Sequence, residues 1–341
     1  MMHNYSNESD NSTLRFVDAV ELVEIFKIIF AVVGIVDNFL ICLIFIRVRK
    51  IRTVTNYFIV NLAVADLIGS LLLMPFPFPT NIGPGLFSEA YCQVIWSNLL
   101  FWITIKASIF NLVAVTIERY YAIVYPISHQ IRFTKKKVKI AIACVWCAAF
   151  LSNIFIIYHV HYWDGRCVTG WLDTGKNSRA AIAVFLFLLT FFIPVFIIIV
   201  AYSRIVASLK KQSQSLNGQM TGVRRGNCSQ SILHARENVV KMLMLVVVVF
   251  IVCWAPDQCF YLAYNLGLSS NYVSSTLGEF LVLLAYCNSC INPIIYALKN
   301  KQFQRGFHVV FSTKKRVSPG NTSMWTVTAG RKIEQSGTAS V

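Results

Sequence analysis

The chain has 341 residues, 56% of them hydrophobic and only 13% charged, with a formal net charge of +16. Soluble domains carry about 25% charged residues, and a mean hydropathy of +0.59 excludes disorder over most of the length. Size, and cysteines that sit mostly inside apolar runs, exclude a secreted disulfide scaffold. An integral membrane protein is left.

In chain order, residues 1–23 form a polar tail. It holds three N-x-S/T triplets, beginning at Asn4, Asn7 and Asn11, which are acceptors for N-glycosylation on an outer surface. Residues 1–15 contain no apolar signal-peptide core. Seven apolar runs follow, near 24–47, 57–78, 93–124, 138–159, 180–206, 238–264 and 275–298. A helix needs about 20 such residues to cross a bilayer. The expected fold is an all-α membrane protein, a seven-transmembrane helix bundle over 24–298. Residues 299–311 predict a short amphipathic eighth helix on the membrane surface, through Phe303, Phe307, Val310 and Phe311. Residues 312–341 read as a disordered cytoplasmic tail whose Ser312, Thr313, Ser318, Thr322 and Ser323 are candidate phosphorylation sites.

Lys and Arg crowd alternate loops. Arg47, Arg49, Lys50 and Arg52 follow span 1. Arg132, Lys135, Lys136 and Lys137 follow span 3, Lys210 and Lys211 follow span 5, and Lys299, Lys301 and Arg305 follow span 7. The opposite loops hold only Arg166, Lys176 and Arg179. The N-terminus is therefore expected outside and the C-terminus in the cytoplasm of a multi-pass plasma-membrane protein. The positive charge is a topology and anionic-lipid signal, so no nucleic-acid partner is expected.

Polar residues inside the spans need a reason. Asp66 is a carboxylate at mid-membrane, a placement that costs about 2.5–3.5 kcal/mol. Asn38, Ser108, Asn288, Ser289 and Asn292 are the polar groups on other spans able to surround it. Oxygen-rich sets of this kind suit hard cations or serve as hydrogen-bonded helix glue. Pro256 and Pro293 sit inside apolar runs and kink their helices. No nucleophile–base set or metal-ligand spacing suggests an enzyme. No repeats suggest a transporter, although Asp37, Asp66 and Lys106 would fit a charged path.

Several motifs fall one per span. They are Asn38; NLAVADL with Asp66; Glu118-Arg119-Tyr120; Trp146; Pro194 with Tyr202; FIVCWAP with Phe250 and Trp254; and NPIIY from Asn292 through Pro293 to Tyr296. Over about 24–311 this chain resembles the rhodopsin-like (class A) G-protein-coupled receptors. It is similar in general character to neuropeptide receptors of the galanin, somatostatin, thyrotropin-releasing-hormone and RFamide kind.

The resemblance implies an extracellular ligand, a heterotrimeric G protein activated by outward movement of helix 6, and arrestin and a receptor kinase as further partners. It implies an allosteric sodium ion near Asp66, Ser108, Asn288 and Ser289, with no other cofactor. Glu118 and Arg119 become the resting-state pair. Ile109, Pro194 and Phe250 become the connector beneath Trp254, and Tyr202 and Tyr296 the switch tyrosines. An oxidising outer compartment favours a Cys92–Cys167 disulfide, the other eight cysteines staying reduced.

The chain also departs from the family. Arg119 lies 27 positions after Cys92, two more than in most members, which predicts a bulge around 93–104. Phe87 stands where an outer-loop tryptophan is usual. Arg236 stands where many relatives carry an acid that holds the arginine. Asp37 replaces a glycine, and Lys106 lies deep in span 3. Span 7 has no lysine before Lys299, so there is no retinal attachment. Span 3 has no Asp between Cys92 and Glu118, so the ammonium partner of amine receptors is missing. Phe101, Trp102, Asp257, Gln258, Tyr261, Glu279 and Tyr286 predict an aromatic, acidic pocket for a cationic or amidated neuropeptide. The alternative is a non-peptide or orphan receptor with constitutive activity.

Overall fold

The structure is a computed structural model that describes the backbone of residues 3–75, 79, 83–169, 176–218, 223–269 and 276–311. Side chains are described within those ranges from Glu21 onward, except at 86, 176–177, 216–218, 223–233 and 235. The side chains of the glycosylation triplets and the whole tail of 312–341 lie outside them.

Among the described residues, seven helical segments are long and apolar enough to cross a membrane: Glu21–Arg47, Val54–Leu73, Phe87–Val124, Lys135–His159, Ser178–Ser215, Arg236–Asn265 and Thr276–Lys299. The first belongs to α1 (His3–Arg47), which continues without a break into the expected tail of 1–23. The second is α2 (Val54–Leu73). It starts three residues before the apolar run because the hydroxyl of Thr53 accepts a hydrogen bond from Asn56 N at 3.4 Å, an N-cap that hydropathy does not register. It ends before Pro75, short of the expected 78, because a residue preceding proline is pushed out of the helical region.

The third span is built in pieces. After α3 (Leu86–Ala90) comes a single π-helical segment, Tyr91–Trp96. Ser97 and Asn98 follow, Asn98 in the left-handed region at φ 54°, and then α4 (Leu99–Val124). This widened turn and reversal absorb the excess length between Cys92 and Arg119. A short helix α5 (Pro126–Arg132) leads to α6 (Lys135–Leu151), which Thr134 caps by accepting from Lys137 N at 3.4 Å. The fourth span is interrupted at Ser152 and Asn153 before α7 (Ile154–His159).

Strands β1 (Val160–Trp163) and β2 (Arg166–Thr169) pair antiparallel. They are joined by Asp164 and Gly165, both at positive φ. Asp-Gly suits a two-residue hairpin, whose turn twists with the strands. The fifth span is α8 (Lys176–Phe187), a π-helical segment Leu188–Phe192, and α9 (Ile193–Gly218). Then come α10 (Val223–Asn265), with Pro256 inside, α11 (Thr276–Lys299), with Pro293 inside, and α12 (Lys301–Phe311).

The core fills the bundle axis, with Leu112, Phe250, Trp254, Tyr286 and Tyr296 buried together. Outward, α1 exposes Ile25, Phe26, Ile29, Val32 and Phe39, an apolar face that water would not tolerate and lipid would. The eighth helix is present as α12. Asn300 starts it by accepting from Gln302 N at 3.0 Å. Its Phe303 is fully buried, Phe307 and Val310 pack on the core, and Phe311 is exposed.

Small residues set how closely helices approach. At Gly34 a Cβ would run into Ser70 Oγ and would lie 3.1 Å from the Tyr286 hydroxyl. The Gly34→Ala protein should therefore be overpacked by about 1–3 kcal/mol. The check is thermal unfolding in detergent, where its Tm should fall below that of the parent.

Candidate functional site

Three clusters lie along the bundle. The first is at the disulfide end. Cys92 and Cys167 are bridged, and the other described cysteines are free. Glu89 holds the hairpin down, accepting from Tyr162 N at 2.8 Å, Gln93 Nε2 at 2.9 Å and His161 Nδ1 at 2.9 Å. The hydrogen bond to Glu89 raises the pKa of His161 above its ordinary value. A raised folded pKa means the contribution is present below the unfolded value, near 6.5, and fades as pH rises through the folded one. His161 is half exposed, so the effect is screened. His161→Asn should lower Tm at pH 6 and leave it nearly unchanged at pH 8.5. Phe87 is 89% exposed. It projects away from the bundle and does not replace a packed loop tryptophan.

The residues expected to meet a ligand divide into three groups below this end. Phe101 stands edge-on to Trp102 at 5.6 Å and tilted against Tyr286 at 6.2 Å. Asp257 is buried and accepts from Gln258 Nε2 at 3.0 Å, while Gln258 Oε1 accepts from Thr190 at 3.3 Å. Tyr261 lies within electrostatic range of both Asp257 and Arg179, and the Arg179 guanidinium stacks over Tyr264 at 5.2 Å. Glu279 turns elsewhere: Lys27 of α1 lies 3.6 Å from it and 2.6 Å from Glu24. The sequence could not show that Glu279 faces α1, since Lys27 sits in another span.

At mid-membrane, Asp66 accepts from Ser289 Oγ at 2.9 Å and from Asn292 Nδ2 at 3.3 Å. Its backbone oxygen accepts from Ser70 Oγ at 2.6 Å, and Ser70 in turn accepts from the Tyr286 hydroxyl. Ser108 faces Asp66. The side-chain oxygens of Asn38, Asn288 and Asn292 are buried without a hydrogen-bond partner. Orphaned buried acceptors are costly, and an all-oxygen set around a carboxylate is the chemistry a hard cation takes. The residues present thus fit such an ion.

Nearby, Trp146 Nε1 donates to Asn61 Oδ1 at 2.9 Å, Asn61 Nδ2 to Asn111 Oδ1 at 2.9 Å, and Asn111 Nδ2 to Phe58 O at 2.8 Å. This chain ties α6, α2 and α4 together; Trp146 and Asn61, the first residue of NLAVADL, stood in the sequence motifs, and Asn111 did not. Lys106 is buried in α4. Its Nζ donates to Ser152 O at 2.9 Å and lies 5.4 Å from the Phe155 ring centre. It thus caps the carbonyl end of α6, where the helix dipole favours a cation.

Trp254 and Phe250 are buried beneath the aromatic group, their ring centres 6.5 Å apart, with Phe191 6.3 Å from Phe250. Ile109 and Pro194 are also buried. The π-helical segment Leu188–Phe192 ends just before Pro194, an irregularity that apolar composition hides. Tyr202 and Tyr296 are buried and within electrostatic range of each other, and Tyr202 hydrogen-bonds Thr116.

The third cluster closes the Arg119 end. Glu118 is fully buried. It accepts from Arg119 Nε and Nη2, each at 2.6 Å, and from the Thr55 hydroxyl at 3.2 Å. His129 Nε2 of α5 lies 2.7 Å from Glu118 Oε1, its ring stacked on Phe133 at 5.2 Å. Thr55 also meets Arg119. Neither Thr55 nor His129 was legible as a partner, because each comes from a different element. Tyr120 stands edge-on to Tyr121 and Tyr125, both at 5.7 Å. Arg236 does not approach an acid here: its Nη1 donates to Gln212 Oε1 at 3.2 Å. A cavity of about 710 Å³ opens beside Arg119, lined also by Thr55, Asn56, Lys241, Met242 and Leu245.

Such an arrangement, with interior polar clusters strung between a ring-lined end and an ion-paired arginine, defines a seven-helix membrane receptor. Residues 37–296 match the 7 transmembrane receptor (rhodopsin family), and the chain belongs to that family. It is 30% identical to the allatostatin-A receptor of Bombyx mori, over 90% of this chain and 84% of that protein. It is 32% identical to galanin receptor 2a of Danio rerio, over 86% and 79%. It is 29% identical to octopamine receptor beta-2R of Chilo suppressalis, over 82% and 77%. The chain is thus a class A receptor similar to neuropeptide receptors, and it is not an enzyme.

Proposed function

We propose that the chain is a plasma-membrane receptor, N-terminus outside, that binds a cationic or amidated neuropeptide between α4, α8, α10 and α11 and activates a heterotrimeric G protein. The observation that carries this reading is Arg119, held by Glu118 at the rim of the 710 Å³ cavity. A partner entering that cavity competes for the guanidinium. Ligand pressing on Phe101 and Trp254 repacks Phe250 against Ile109 and Pro194, α10 swings outward about Pro256, and Arg119 is released. Packed cores of this kind are bistable, so a small displacement at one end becomes a helix movement at the other.

Asp66, Ser108, Asn288 and Ser289 would hold a sodium ion in the resting form, where it would supply positive charge to the carboxylate. The Ser/Thr-rich segment 312–341 takes phosphate from a receptor kinase and then recruits arrestin.

Two relatives named for peptides, allatostatin-A and galanin, support a peptide ligand. The octopamine receptor matches at nearly the same identity, but this chain has no acid in span 3 between Cys92 and Glu118 to hold an amine. A second reading, a non-peptide receptor with constitutive activity, is favoured by Arg236: no acid on α10 helps to hold Arg119.

The test is surface expression with a promiscuous G-protein reporter, with and without a library of amidated peptides. A peptide response that Arg119→Ala abolishes, and whose potency Asp257→Asn lowers at least tenfold, supports the peptide receptor. A high basal signal with no peptide response, at sound surface expression, overturns it in favour of the second reading.

A further inference from the structure

Asp37 stands where the family usually has glycine, and the mid-membrane cluster shows what it touches. Its Oδ1 accepts from Asn38 Nδ2 at 3.2 Å. The same Nδ2 lies 2.9 Å from Gly34 O and 3.3 Å from Ser289 O, and Ser289 Oγ donates to Asp66. Asn38 therefore lies between Asp37 and the Ser289 backbone, and the Ser289 hydroxyl meets Asp66. The two carboxylates lie within electrostatic range of each other, and Tyr286 and Cys290 of α11 sense both. Asp37 Oδ2 is buried without a hydrogen-bond partner. So are the oxygens of Asn38, Asn288 and Asn292, whose residues are all at least nine-tenths buried. Among the described residues, no Lys, Arg or His pairs with either carboxylate; the nearest ion pair of α1, Lys27, is engaged by Glu24 and Glu279.

Two like charges in a low-dielectric interior, with no internal counter-charge, are stable only with an added cation or proton. We propose that Asp37 is the second carboxylate of the ion site, acting through Asn38 to tighten the hold on one monovalent cation. This rests on the sodium reading of the Asp66 cluster given above. A second carboxylate adds attraction that falls off only slowly with distance in a medium of low dielectric.

The experiment uses the full-length receptor in lipid nanodiscs, and reads Tm against sodium chloride with choline chloride holding ionic strength constant. The parent should gain Tm with sodium, Asp66→Asn should lose the response, and Asp37→Asn should shift the half-effective sodium concentration up about tenfold. Asp37→Glu should restore it. A parent without any sodium response overturns both the ion reading and this proposal. A sodium response lost in Asp66→Asn but unmoved in Asp37→Asn overturns the second carboxylate alone, and is the result expected if Asp37 instead holds a proton. Asp37→Asn keeps the side-chain volume, and its Tm in choline reports whether it folds.

Discussion

Cysteine 167 replaced by serine should leave little receptor at the cell surface and lower Tm in detergent by many degrees. The bridge it forms with Cys92 joins positions 75 residues apart. Closing a loop of that length constrains the unfolded chain by about 4–5 kcal/mol. The bridge also sits at the weakest point of the third span. Cys92 lies in the π-helical segment, six positions before the left-handed Asn98, and Cys167 pairs with Tyr162 in the hairpin. Without the covalent tie, the hairpin is held to this irregular stretch by non-covalent contacts, the hydrogen bonds of Glu89 among them. Cys92→Ser should behave alike, and the double variant should be no worse than either single one. Surface staining and thermal unfolding check this; additive losses would show that each cysteine acts separately.

Glu118→Gln should raise the basal signal at least tenfold in the G-protein reporter assay. The carboxylate is fully buried, and it gathers Arg119, Thr55 and His129 at once. Removing one partner of a buried ion pair costs about 3–5 kcal/mol. That cost falls on the state in which the pair is made. Each 1.4 kcal/mol by which the resting form loses ground moves the equilibrium tenfold. His129→Gln removes one contact and keeps the ion pair, so its basal signal should lie between those of the parent and Glu118→Gln. No rise in either variant would show that the resting state is held elsewhere. Because Arg236 is engaged by Gln212, no second lock is expected to mask the effect.

The seven spans were legible because a bilayer demands long apolar runs, and the chain provides no others. Their ends were not, because Thr53 and Thr134 cap polar first turns that hydropathy discards. The spacing between Cys92 and Arg119 located the irregularity of span 3 correctly, but a count of residues does not distinguish a wide turn from a left-handed reversal. The Asp164-Gly165 hairpin carried a readable turn signal that the membrane pattern overshadowed. In the site, side chains on long helices fell where the motifs put them, as with Asp66 beside Ser289 and Asn292. Partners supplied by short connections, such as His129 to Glu118, had no sequence signal, since nothing local brings α5 back under α4. Glu279 was assigned to the pocket by composition alone, and Lys27 draws it toward α1.

The lysine in α4 also bears on how the chain enters the membrane. On insertion scales a central lysine disfavours a span by about 2.5–3.5 kcal/mol, and Glu118 and Arg119 add charge at the same helix's far end. The carbonyl that receives Lys106 belongs to Ser152, at the interruption of the next span. Until the fourth span is beside it, that ammonium lacks the Ser152 carbonyl, so the third helix gains its place in lipid in part from its neighbour.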